Sequence, residues 1–256
     1  DVSQAEPAES SFNLQLVNLS ALHDQIDIYV AEAGNGFAGA QKLDTLSQHE
    51  ASTAAVNKTT GQYHFYLTEA GSDTPFFSTE LINFAYQNNY VVLVRDKFGP
   101  VAGQLALDVV LNSSTATSYD DVDATAQFRL YNSLSTDVTL ALDNTVQGSV
   151  GVGQLSDYVA TQKGDYSLSV RGSNDNLLLN SALLSLAAGD SKAVLLYQDA
   201  QGSTEALAIT ENSRPQQKSH DVIVANLVAD FAQLQFYFVR QNETIATAKY
   251  HVKNLA

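Results

Sequence analysis

Apolar and polar positions alternate over much of the chain. Ile26, Ile28 and Val30 alternate with Asp27 and Tyr29, Val138, Leu140 and Leu142 with Thr139 and Ala141, and Leu234, Phe236 and Phe238 with Gln235 and Tyr237. A period of two puts each triplet on one face of a β-strand, and three apolar side chains on one face need a second layer to cover them. Two continuous apolar runs, Val91–Val94 and Ala193–Tyr197, suit central strands. Pro7, Pro75, Pro100 and Pro215 all fall outside these patterns, Pro75 in a loop. The pattern predicts an all-β chain.

The pattern also repeats. A shift of 103 residues lays Gly61–Gly99 over Gly164–Gly202 without a gap, with identities that include Gly61/Gly164, Tyr63/Tyr166, Val91/Val194 and Leu93/Leu196. In both copies a Gly-x-Tyr turn starts an alternating strand, followed by a loop, a second strand and an apolar third, as a duplicated unit would show. Upstream, Asn18, Asn132 and Asn226 each follow a short strand and precede one of the alternating triplets. A third copy therefore begins near His220, with strands expected at Val222–Ala225, Leu234–Val239 and Thr244–Val252. An amphipathic helix around Asn226–Gln233 is the competing reading. Three strands are too few for a core of their own. The polar stretches Asn112–Asp123 and Glu211–Ser219 read as connections. The organisation expected is a flexible leader over residues 1–11, a β-sandwich over 12–118, a second over 119–214, and a partial third repeat over 215–256 packing on a neighbouring sandwich. Units of this size fit two tandem immunoglobulin-like or transthyretin-like β-sandwiches plus a partial third set of strands.

Composition narrows the function. Hydrophobic residues make up 45% of the 256 positions, enough for real cores, and no apolar run approaches the roughly 18 residues that span a bilayer. Acidic residues number 28 against 13 basic, a net charge of −15, which repels phosphate backbones, so no nucleic-acid partner is expected. The absence of cysteine excludes disulfides, thiolate metal sites, Fe–S clusters and cysteine nucleophiles. Methionine is absent too, and the polar opening stretch reads as a leader of the kind that follows a removed signal peptide or a lipid-anchored cysteine. Export, with room for an N-terminal lipid anchor, is the expectation, and a trimmed cytosolic chain is the alternative.

No motif announces catalysis. Gly148–Gly153 is glycine-rich but carries neither the dinucleotide nor the P-loop spacing, and reads as a hairpin or bulge. His23, His49, His64, His220 and His251 show no metal-ligand spacing, and no Ser stands in a nucleophile elbow. No catalytic residue and no cofactor are expected. Asp120, Asp121 and Asp123 form the densest acidic cluster, at the expected junction of the two sandwiches, where hard oxygen ligands could hold Ca²⁺; a solvated linker is the plainer reading. Tyr29, Tyr66 and Tyr237 fall on the polar faces of their strands. Tyrosines so placed stack on sugar rings, sit in a protein interface, or simply cover the sheet.

Several segments of the second unit resemble one family. Phe128–Asn132 and Val138–Asn144 are similar to the opening strands of domain-of-unknown-function family 4397, and Val152–Val159, with Ser156-Asp157-Tyr158, to its "FGxxSDYL" segment. Gly164–Leu168 resembles its "GTYxV" strand and Leu184–Asp190 its "LTLAAGTxYTV" strand pair. The resemblance covers nearly all of the second unit and is weaker over the first, where Ala55 stands at the position of Tyr158. It implies tandem β-sandwiches, a bacterial envelope or secreted setting, often with a lipid anchor, and no established activity. The role expected is non-catalytic: an envelope or cell-surface module that binds or spaces, adhesin-like, with a protein or polysaccharide of the envelope as partner. Its place would be periplasmic, outer-membrane-anchored or extracellular. A carbohydrate-binding module is the alternative, and a hydrolase with an unrecognised site comes third.

Overall fold

Alternating triplets that need covering find their cover in a second sheet, and they do so twice. The computed structural model describes residues 10–111, 116–211, 224–228, 230–231 and 233–255. Most of the expected leader, the connection beyond Glu211, His220 and the start of the strand at Val222–Ala225 lie outside the described residues. The chain divides into two units, Asp1–Thr125 and Ala126–Ala256.

In the first unit the strands are β1 (Ser11–Asn18), β2 (Gln25–Glu32), β3 (Gln41–Ser47), β4 (Glu50–Ala51), β5 (Val56–Thr59), β6 (Gly61–Glu69), β7 (Pro75–Ser78), β8 (Ile82–Phe84), β9 (Asn89–Asp96), β10 (Leu105–Leu111) and β11 (Ala116–Asp120). One sheet runs β11-β10-β9-β1-β4, with β5 also on β1; the other runs β3-β2-β6-β7, with β8 also on β6. All pairs are antiparallel except β1 with β9, which is parallel.

The second unit repeats the plan with β12 (Ala126–Asn132), β13 (Val138–Leu142), β14 (Thr145–Val150), β15 (Val159–Thr161), β16 (Gly164–Gly172), β17 (Leu177–Leu186), β18 (Ser191–Gln198) and β19 (Thr204–Thr210). Its sheets run β15-β12-β18-β19 and β14-β13-β16-β17, and β12 with β18 is again the parallel pair. Each unit has its own core. Ile26, Ile28 and Val30 are buried in the first, Val138, Leu140 and Leu142 in the second, each side chain worth roughly 1.5–3 kcal/mol on burial. The first core is aromatic: Phe12 stacks on Phe84 at 4.6 Å, and Tyr90 meets both edge-on. The second is aliphatic apart from Phe128.

The repeated asparagines are buried latches. Asn18 and Asn132 are wholly buried at the ends of β1 and β12. Asn18 Nδ2 donates to the carbonyls of Leu46 and Ser47, and Asn132 Nδ2 to those of Thr136 and Val150. Each side-chain oxygen accepts from the N–H two residues on, at Ser20 and at Leu134. Asn226 closes the same turn, accepting from Val228 N at 3.1 Å and donating to the Phe231 carbonyl. That turn, closed by the bond from Asn226 to the Phe231 carbonyl, stands where the competing reading placed a helix.

Four expectations change in detail. The gapless shift of 103 holds for β6 and β16, where Leu67 and Val170 both face the triplet strand. From β7 onward the equivalence is 102: Phe77, Ile82, Phe84, Val92 and Val94 correspond in burial to Leu179, Leu184, Leu186, Val194 and Leu196. The β6–β7 turn is one residue longer than the β16–β17 turn, and a slip of one exchanges the two faces of a strand, so Val91/Val194 and Leu93/Leu196 are identities out of register. Second, Asn112–Asp123 is not wholly a connection. Ala116–Asp120 is β11 on the edge of the first sheet, held by Arg95, which donates to Asp108 through Nε and Nη2 and to Ser118. Third, Pro75 opens β7 rather than lying in a loop, at a first position that a proline tolerates. Last, the third copy shows β20 (Leu234–Phe238) paired antiparallel with β21 (Tyr250–Leu255). The second of these starts later than Thr244, because Thr244 and Thr247 close a turn on each other. The glycine-rich stretch ends a hairpin strand, with a bulge opposite Leu140/Ala141, and runs on into a turn at Gly151–Gly153.

Candidate functional site

With the β2 triplet facing inward, Asp27 and Tyr29 project from the opposite face of the sheet. Tyr29 stands directly across from Tyr66 on β6 and from Lys42 on β3. The connection between β2 and β3 folds back over this face through a 3₁₀ turn at Phe37–Gly39. It sets the Phe37 ring 5.2 Å from Tyr29 and 5.4 Å from Tyr66, edge-on to both, which is the arrangement aromatic quadrupoles favour. The His64 ring lies beyond, 6.2 Å from Tyr66.

Beside the rings lies an open cleft of about 590 Å³, with Tyr29 and Phe37 as one wall, Asp27 and Lys42 at its floor, and Ser72 and Asp73 on its rim. The Asp27 side chain is 1% exposed. It accepts from Lys42 Nζ at 2.7 Å, Thr45 Oγ1 at 2.6 Å and the Gly71 N–H at 2.9 Å. Burial pushes its carboxyl upward, but the bonds from Lys42, Thr45 and Gly71, with the charge of Lys42, outweigh burial and hold it below the usual carboxylate value. The floor is therefore a closed ion pair whose ammonium, with three donors, has not spent them all on Asp27.

The second unit offers the same face without these groups. Strand register sets Thr139 at the place of Asp27, Ala141 at Tyr29, Val146 at Lys42 and Ser169 at Tyr66. The eight-residue connection that carries Phe37 is replaced by the two-residue turn Asp143–Asn144, both at positive φ, the form that fits a tight hairpin. A smaller cleft of about 210 Å³ remains there, with no aromatic side chain among Thr139, Ala141, Val146, Ser169 and Arg171.

The other expected residues do not converge. Tyr237 occupies the Tyr29 position of the third repeat, on β20, where its ring stacks on His251 at 5.6 Å. Asp120 pairs with Lys97 at 2.9 Å, Asp121 accepts from the backbone N–H of Ser78 and of Asp123, and Asp123 accepts from the Ser78 hydroxyl. Among the described residues no group of three or more His, Asp or Glu gathers as metal ligands do. His23 stacks on Phe76 at 4.1 Å, with Glu69 at 2.6 Å from Nδ1. The pocket it shares with Asp121 holds only about 150 Å³, well under the volume of an ordinary small-molecule site. Three residues that matter were invisible to pattern reading. Phe37 and Lys42 sit in a loop and at a strand start, with no periodicity to single them out. Glu211, read as the first residue of a connection, instead ties β12, β18 and the residue before β15 together: it accepts from Arg129 Nε at 2.8 Å, the Tyr158 hydroxyl and the Ser191 hydroxyl.

Among the described residues no helix is long and apolar enough to cross a membrane. No curated protein matches the chain. Among solved structures, a "putative adhesin" from Bacteroides ovatus aligns at 12% identity over 82% of this chain and 96% of that one, with a TM-score of 0.27. A likeness that low carries no argument. The family described as "Domain of unknown function (DUF4397)" matches residues 126–237. The Arg129–Tyr158–Glu211 tie, built on the Ser156-Asp157-Tyr158 segment, thus belongs to a DUF4397 domain, which the chain carries at residues 126–237.

Proposed function

We propose that the chain is a non-catalytic recognition module of the bacterial envelope or cell surface, adhesin-like in that its work is to hold a partner. It would act outside the cytoplasm, in the periplasm, on the outer membrane or beyond it, with a protein or polysaccharide of the envelope as partner. The observation that carries the reading is divergence within a duplication. Two units of one topology keep the same latches and the same parallel closure, yet among the described residues only the first has an inserted aromatic side chain, two facing tyrosines and a buried ion pair on the outward face of its β3-β2-β6-β7 sheet. Packing explains what the copies share; a ligand explains what one copy adds.

The chemistry of the cleft favours binding over turnover. A general acid needs a raised pKa, whereas Asp27 is held down by three donors. The net charge of −15 keeps such a module soluble and directs it away from anionic lipid. The test is retention of the purified full chain on bacterial envelope fractions, separated into polysaccharide and protein. Saturable retention on either supports recognition; none on both overturns it.

A further inference from the structure

We propose that the cleft on the β3-β2-β6-β7 sheet of the first sandwich binds a neutral polysaccharide, with Tyr29 and Phe37 as the stacking wall and Lys42 and Asp73 as partners for sugar hydroxyls. This rests on the recognition reading and names its ligand class.

Each part of the cleft suits a sugar ring. The wall is aromatic and fixed: Phe37 is held edge-on between Tyr29 and Tyr66, so neither ring needs to be ordered when a ligand arrives. Rigid, amphipathic rings give contact area at low entropic cost. The apolar C–H face of a pyranose covers such a ring while its hydroxyls turn to the polar side of the cleft. There Lys42 presents a donor from the floor of the cleft and Asp73 an acceptor from its rim. Asp27 is a positioning residue. Its buried carboxylate fixes the Lys42 ammonium at 2.7 Å and neutralises it, so the floor offers directed hydrogen bonds with no net charge.

Charge then selects among polysaccharides. With Asp27 and Lys42 cancelling, Asp73 is the remaining ionised group of the cleft, and the whole chain carries −15. A uronate- or sulfate-bearing polymer meets repulsion at both ranges; a neutral hexose polymer meets none. The volume of about 590 Å³ lies within the range of small-ligand sites, and the cleft is open to solvent. The second sandwich supplies an internal control, because Ala141 and Val146 replace Tyr29 and Lys42 at the same places.

The experiment is calorimetric titration of the full chain with neutral glucan, galactomannan and xylan, and with a polyuronate, comparing wild type with Tyr29→Ala, Phe37→Ala, Lys42→Met and the second-unit control Val146→Ala. Binding of at least one neutral polymer and not of the polyuronate is expected, weakened about tenfold by loss of either ring, several-fold by Lys42→Met, and unchanged in the control. Should Tyr29→Ala lower the melting temperature, Tyr29→Phe, which keeps the ring, should retain binding. A saturable change in tyrosine fluorescence then reports occupancy in the wild type, since the chain has 12 Tyr and no Trp. Absence of neutral-polymer binding, or binding by Tyr29→Ala and Phe37→Ala as tight as that of the wild type, overturns the inference. Retention on envelope protein alone would overturn it while leaving the recognition reading intact; retention on neither would remove both.

Discussion

Asp27 keeps a charge where solvent cannot reach it, and that has a signature in pH. Its folded carboxyl titrates below the unfolded value of about 3.9. The stability it contributes is therefore complete above that value and is lost as pH falls through the lower folded one. Chemical denaturation should show the wild type losing more stability between pH 4 and pH 2 than Asp27→Asn. At neutral pH the variant should be about 1–3 kcal/mol less stable, because Lys42, Thr45 and Gly71 lose a charged acceptor. The asparagine latches make a second prediction at this scale. Asn18→Ala and Asn132→Ala each leave buried carbonyls and an N–H unpaired, and each should cost about 2 kcal/mol in thermal or denaturant unfolding. Asn226→Ala, whose bonds are exposed to water, should cost less than about 0.5 kcal/mol.

At the scale of the strand, one repeat position, filled three times, has two fates. Ile28 and Leu140 are buried under a second sheet, whereas Phe236, at the same place in the third copy, is 39% exposed on a two-stranded sheet. Ile28→Ala and Leu140→Ala should each cost about 2–5 kcal/mol, and Phe236→Ala less than about 0.5 kcal/mol, measured by denaturant unfolding of the full chain. These triplets were legible in the sequence because alternation is a direct consequence of strand geometry, and so were the Gly-x-Tyr strands and the latches. The one-residue slip after β6 was not. Val91–Val94 is apolar at every position, so either register satisfies it, and only the partner strands decide which face is inward. The site was half legible. Tyr29 and Tyr66 could be placed on the polar face of their strands, but their meeting across β2 and β6 depends on pairing, and Phe37 reaches them through a loop whose path no periodicity encodes.

On the scale of the molecule, the two cores share no residue, and they differ in kind, one stacked from aromatic rings and the other from aliphatic chains. Scanning calorimetry of Leu16→Ala and Leu130→Ala should therefore shift different parts of the unfolding profile, each by several degrees, rather than a single common transition. The parallel closure of each sandwich sets the order in which it can be completed. β1 pairs with β9, Asn13 against Asn89, and β12 with β18, Gln127 against Ser191, so the strand synthesised first waits for one synthesised much later. Such long-range closure is slow. In a duplicated chain it also exposes a choice, because an unclosed β12 with an Asn at its end meets β9 of the preceding copy before its own β18 has been made. Exchange between like repeats is a characteristic error of tandem domains. The aromatic core guards against it: a first sandwich that needs Phe12 stacked on Phe84 accepts Ala126, the residue at that place in β12, only by leaving a cavity the size of a ring.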